Sequence, residues 1–177
     1  EPGGPNDITG KDASGRYYID IISFHTYPFN GSQNRDQVIG ELTKSGGFHD
    51  KLAYLNGRIA NCNSTHGRTG TNELQTAVTE MNINYKNAAS DNASGLGANS
   101  FIGGQFIAEM FGIGLKQGVD MMNIWSVIEG NNQELNIGYL DRSTGAKKSG
   151  YYHFQMMAGN FSGNYVNGTT NNTKVKV

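Results

Sequence analysis

The sequence predicts an α/β fold built from parallel βαβ units, and two observations predict it. Three short runs are apolar and β-branched: residues 17–27 (Tyr-Tyr-Ile-Asp-Ile-Ile-Ser-Phe-His-Thr-Tyr), 75–81 (Gln-Thr-Ala-Val-Thr-Glu-Met) and 119–126 (Val-Asp-Met-Met-Asn-Ile-Trp-Ser). Runs of this length and type, bounded by Gly, Pro and Asn, read as buried strands. Longer segments with apolar residues at helical spacing lie between them. Strands alternating with helices give a parallel sheet with helices packed on it.

Each element follows from local chemistry. Residues 1–16 are a Gly/Pro/Asp loop, and a strand is expected over 17–24. Pro28 closes it, since proline cannot donate to a ladder. Residues 35–43 look helical, interrupted by Gly46 and Gly47. The pattern resumes over 48–60 with Phe48, Leu52, Leu55 and Ile59 on one face. Residues 62–72, rich in Asn, Ser, Thr and Gly, read as a loop. After the strand at 75–81, residues 87–99 are small and polar, a loop over the end that carries Glu80. Residues 100–117 read as a helix with Phe101, Ile102, Phe106, Ile107, Met110, Phe111 and Leu115 at helical spacing, capped by Gly118. A strand at 119–125 follows at once. Residues 131–136 are a polar loop, 137–140 a short strand, 141–145 a turn and 149–157 a last helix. From Asn160 the chain is Gly/Asn/Thr-rich and ends in an alternating Lys-Val-Lys-Val, the pattern of a strand. Residues 1–160 are thus expected to form one α/β unit, and 161–177 a linker or the first strand of a following β-domain.

In a βαβ array all strands run the same way, so their C-terminal tips emerge at one face, where α/β folds keep their chemistry. One tip carries Glu80, a second His25 and Tyr27, a third Trp125. A sugar-cleaving site needs a carboxylate for the anomeric carbon, polar groups for hydroxyls and an aromatic face for the ring. Asn82, just beyond Glu80, and Glu129, in the loop after Trp125, join them as substrate-binding candidates. Each residue has a plainer reading. Glu80 suits a structural ion pair, His25 a satisfied buried histidine, Trp125 a core filler and Glu129 a solvated loop acid. Asp20 and Asp120 stand at strand beginnings, the wrong end of the sheet.

Bulk composition excludes several classes. The chain has 177 residues, enough for one domain with a real core, and its 14 basic and 15 acidic side chains leave a net charge of −1. No basic run marks a nucleic-acid or anionic-membrane surface. No apolar run approaches the roughly 20 residues of a membrane span. The single cysteine, Cys62, excludes an internal disulfide. Cys62 with His66 is too few ligands for zinc, so a partly exposed bystander is expected there, and no metal or cofactor is implied. His49, His66 and His153 have no partner recognisable in the sequence. Glu1 opens a Pro/Gly loop rather than a leader peptide, as a mature or excised chain would. The weakly charged, Gly- and Asn-rich surface suits a secreted or cell-surface protein, and six Asn-X-Ser/Thr sequons begin at Asn30, Asn63, Asn92, Asn160, Asn167 and Asn171.

Three segments, Asp20-Ile-Ile-Ser-Phe-His-Thr-Tyr-Pro, Val78-Thr-Glu-Met-Asn-Ile-Asn-Tyr and Asn123-Ile-Trp-Ser, resemble the sixth, seventh and eighth strands of clan A retaining glycoside hydrolases. The nearest type is the β-xylosidase/α-iduronidase family or the related arabinofuranosidase and cellulase-like families. The run Gly138-Tyr-Leu-Asp-Arg-Ser-Thr-Gly and the later Tyr151-Tyr-His-Phe-Gln-Met-Met-Ala-Gly-Asn-Phe-Ser-Gly resemble the end of such barrels, before a β-sandwich. The resemblance implies a partial (β/α)8 barrel, roughly strands 6–8 with their helices. It implies Glu80 as nucleophile, His25 and Tyr27 lining the sugar subsite, and Trp125 as aromatic platform. The acid/base glutamate of these families comes from an Asn-Glu pair after the fourth strand. No Asn-Glu here fits, since Asn72-Glu73 lies in the loop entering the Glu80 strand. The expected partners are a carbohydrate substrate and a missing N-terminal half-barrel or other chains of an assembly. The alternative is a non-catalytic carbohydrate-binding or structural component on a degenerate barrel.

Overall fold

In a computed structural model the described residues are 1–30, 32–41, 44–84, 94–130, 136–164, 166 and 168–172. They form, in order, β1 (Ile21–Thr26), α1 (Arg35–Glu41), α2 (Phe48–His66), β2 (Gln75–Met81), α3 (Phe101–Gln117), β3 (Met121–Ile124) and α4 (Ser149–Asn160), with one 3-10 turn at Gly70–Asn72 before β2. The three strands form one parallel sheet in the order β1-β2-β3. Parallel neighbours in chain order, each reached through helix, are the arrangement of part of a (β/α)8 barrel, as the sequence predicts.

The helix boundaries have local causes. Ser100 caps α3 by accepting the Gly103 N–H at 3.0 Å, and Gly118 ends it at φ 67°, where a side chain would be strained. α2 runs six residues beyond the expected 48–60 and ends only at Gly67, φ 61°. The expected loop at 62–72 is therefore corrected. Ile59 and Cys62 extend the buried face of α2 by one turn, and Leu74 closes a small second core over them. Cys62 is buried within that helix, not a partly exposed bystander. The expected strand at 137–140 shrinks to bridges that Leu140 makes with Ile128 and Lys147. The expected strand Lys-Val-Lys-Val, and residues 85–93 and 131–135 within the expected loops, lie outside the described residues.

The sheet has two unlike faces. Phe24, Val78, Met81, Met122 and Ile124 pack into the main core against Leu52 of α2 and Phe106, Ile107 and Met110 of α3. On the other face Ile21, Ser23 and His25 of β1, with Met121, Asn123 and Trp125 on and just beyond β3, are exposed. Alternation is regular in β1 and β3 but breaks in β2. Phe24 pairs with Val78 and His25 with Glu80, while Val78 pairs with Met122 and Met81 with Ile124. Thr79 and Glu80 together oppose one residue on each neighbour, which is a β-bulge. Val78 and Met81, both fully buried, bracket it.

The N-terminal loop is tied to the opposite end of the sheet from the tips. Arg68, 3% exposed, donates to the carbonyls of Thr9, Ile19 and Asn72 at 2.8–3.0 Å, and its guanidinium lies 4.0 Å from the Tyr17 ring centroid. His66 does have a partner: its Nε2 meets Asp7 Oδ2 at 2.5 Å. His49 meets Gln117 and Asp50, and His153 contacts the Ser149 carbonyl. No helix among the described residues is long and apolar enough to cross a membrane.

Candidate active site

The bulge in β2 positions Glu80. In a regular strand Glu80 would lie on the same face as Val78, beneath the helices, because side chains alternate with period 2. The extra residue turns it to the open face, beside His25. Tyr27, half-buried just beyond β1, donates its phenol O–H to Glu80 Oε2 at 2.9 Å. His25 Nδ1 lies 3.2 Å from the same oxygen. One hydrogen bond, from Tyr27, and one ion-pair contact, from His25, thus converge on Oε2, and no hydrogen bond among the described residues falls on Oε1. Burial is the main cause pushing the Tyr27 pKa up, followed by its hydrogen bond to Glu80 and the negative charges of Glu80 and Glu129. Its phenol is held as a neutral donor.

Trp125 follows β3, with its side chain on the open face and the residue 40% exposed. Its backbone N–H donates to the Met81 carbonyl at 2.9 Å, which fixes it beside the end of β2. The Trp125–Ser126 peptide bond is cis. Its indole Nε1–H donates to Glu129 Oε1 at 2.8 Å. The Trp125 carbonyl accepts from Asn82 Nδ2 at 2.6 Å, and the same amide donates to the Ile137 carbonyl at 2.9 Å. Asn82 Oδ1 accepts from the Ile83 N–H. Asn82 is 1% exposed, with both N–H groups engaged. Expected to touch substrate, it stands here as a buried strut between the β2 tip and the loops after β3. Its placement directly after the strand was visible in the sequence, but its orientation was not.

A hydrogen bond joins Tyr27 to Glu80 and an ion-pair contact brings His25 to the same carboxylate, while Trp125 and Glu129 form a second linked pair across the β3 tip. Asp20 and Asp120 sit at the other end of the sheet, where Asp120 Oδ2 accepts the Thr76 N–H at 2.8 Å. No group of three His, Cys, Asp or Glu side chains among the described residues is arranged to hold a metal ion.

Comparison with solved structures finds partial likenesses of the chain's fold. The chain is similar to a beta-glucuronidase of Faecalibacterium prausnitzii, at 12% identity and a TM-score of 0.48 over 88% of this chain and 25% of that one. It is also similar to CelM2, a bifunctional glucanase-xylanase from a metagenome library, at 18% identity and a TM-score of 0.46 over 81% of this chain and 24% of that one. The chain therefore spans about a quarter of the length of each. No protein-family model and no curated protein matches the sequence.

Chemically, the site offers one carboxylate with one oxygen held by Tyr27 and in contact with His25, and an exposed aromatic ring at the neighbouring strand tip.

Proposed function

We propose that this chain carries the nucleophile half of a retaining glycoside hydrolase. The observation that supports this best is the convergence of the Tyr27 hydrogen bond and the His25 ion-pair contact on one oxygen of Glu80. The Tyr27 hydrogen bond and the His25 contact hold the carboxylate in one orientation. The other oxygen, Oε1, attacks the anomeric carbon as the bond to the leaving oxygen breaks. A covalent glycosyl ester forms, and water then releases the sugar with retained configuration. Trp125 offers its ring face to the C–H face of a pyranose.

Retention needs a second carboxyl group about 5–5.5 Å from the first, acting as acid and then as base. Neither oxygen of Glu129 is presented for that role: Oε1 accepts the indole N–H, and Oε2 is sealed from solvent. We therefore assign the acid/base to further parallel strands that complete the barrel around the open sheet face. A substrate carbohydrate is then bound between the two halves. General acid catalysis is worth about 10²–10⁴-fold, so this chain alone should act only on activated aryl glycosides.

The test is trapping with a 2-fluoro glycosyl fluoride in the enzyme with its barrel complete, followed by peptide mapping. Label on Glu80, with Glu80→Gln losing turnover by several orders of magnitude and keeping its melting temperature, is the expected result. Label on any other carboxylate would overturn the assignment. Saccharide binding with neither label nor turnover would favour a carbohydrate-binding role instead.

A further inference from the structure

We propose that Glu129 is a positioning residue for the indole of Trp125 and does not itself meet the ligand. The inference rests on the glycosidase reading only for what the indole does, not for how it is held. Glu129 has two carboxylate oxygens, and their surroundings differ. Oε1 accepts the Trp125 Nε1–H at 2.8 Å, within the short range of a charge-assisted bond. Oε2 is buried and has no hydrogen-bond partner among the described residues. An acid that served a sugar hydroxyl directly would turn a free oxygen to the open face. Glu129 instead directs one oxygen at the indole and shields the other.

Trp125 needs such a restraint. Its backbone is fixed on both sides, by the Met81 carbonyl and by the Asn82 amide. Its ring, however, stands on an exposed face, where packing alone leaves the indole free to change rotamer. A hydrogen bond at the ring's one donor selects a single orientation. A ring already oriented loses less conformational entropy when a ligand stacks on it, so preorganisation adds affinity without a new contact.

Trp125 is the only tryptophan in the chain, so its indole gives a single, unambiguous Nε1–H resonance. Solvent exchange of that proton reports the Glu129 bond directly and needs no turnover. A failure of this inference is therefore separable from a failure of the glycosidase reading. We expect Glu129→Ala to speed exchange of the indole proton by about fivefold or more, the factor that one net hydrogen bond of about 1 kcal/mol gives. Glu129→Gln retains an acceptor oxygen and should restore slow exchange. That rescue distinguishes orientation of the ring from a general effect on folding, which the rest of the amide spectrum monitors. Unchanged exchange in Glu129→Ala would overturn the proposal. So would a Glu129→Gln variant that exchanges as fast as Glu129→Ala.

Discussion

Tyr27 holds its proton against a higher pH than an ordinary tyrosine, chiefly because it is half-buried, and also because it donates to Glu80 near two negative charges. A phenol whose folded pKa is raised adds stability that is full below the usual value near 10 and is lost as pH rises through the folded value. Wild-type protein should therefore lose stability relative to Tyr27→Phe above about pH 10, and difference absorbance of tyrosinate should assign Tyr27 a midpoint above that. A Tyr27 that titrates with the exposed tyrosines would contradict the hydrogen bond. Under the proposed glycosidase function, Tyr27→Phe also removes a donor from a charged acceptor, worth about 1.5–3 kcal/mol. The expected cost is on the order of 10- to 100-fold in kcat/KM, with Glu80 still the labelled residue. Asp7 shows the opposite sign. Hydrogen bonds from Thr9, Gly3 and His66 hold its carboxyl below the usual range. Its contribution is present above the ordinary carboxylate value near 4 and fades as pH falls below it. Asp7→Asn should flatten that acid-side loss in a series of melting temperatures.

At the scale of elements, α3 packs closely on both sides through glycines, although glycine costs a helix interior about 1 kcal/mol against alanine. A Cβ on Gly114 would collide with the Met122 side chain of β3, and one on Gly104 with His153 and Ser149 of α4. A Cβ on Gly103 would strike the backbone of Gly97 and Ala98. Methionine bends and backbone does not, so the penalties should differ. Gly114→Ala should destabilise by about 1–3 kcal/mol through overpacking. Gly103→Ala should cost more, with a larger fall in melting temperature. Equal losses would mean that the loop before α3 yields as readily as a side chain.

For the whole molecule, the open sheet face is the dominant feature. Ile21 is 43% exposed, Met121 47% and Trp125 40%. Among the described residues β1 and β3 are each paired on one side only, with β2 between them. An apolar face flanked by open strand edges invites association, since both the edges and the surface seek partners. The isolated chain should enhance the fluorescence of an apolar dye such as ANS and self-associate in sedimentation. Strands that complete the barrel should suppress both. A dye-silent monomer would show that this face is stable in water and would remove the reason to expect further strands.

How much of this was legible from the residues follows from the range of each interaction. Strand β2 and helix α3 were readable to within a residue, because apolar period, the Ser100 cap and the Gly118 stop are local signals. The end of α2 was misread because Asn, Ser and Thr favour loops, while burial of Cys62 beneath Leu74 is a long-range contact. The sequence by itself determined that Glu80, His25, Tyr27 and Trp125 belong to strand tips, and that those tips share one end of a parallel sheet. Only the tertiary structure decided which way Glu80 turns. The bulge at Thr79–Glu80 arises from pairing with two neighbours at once, and no period within β2 encodes it. The same holds for Asn82 and Glu129. Their residue types announce a polar role, but partners 43 residues away or across a loop fix whether they meet a ligand or hold the residue that does.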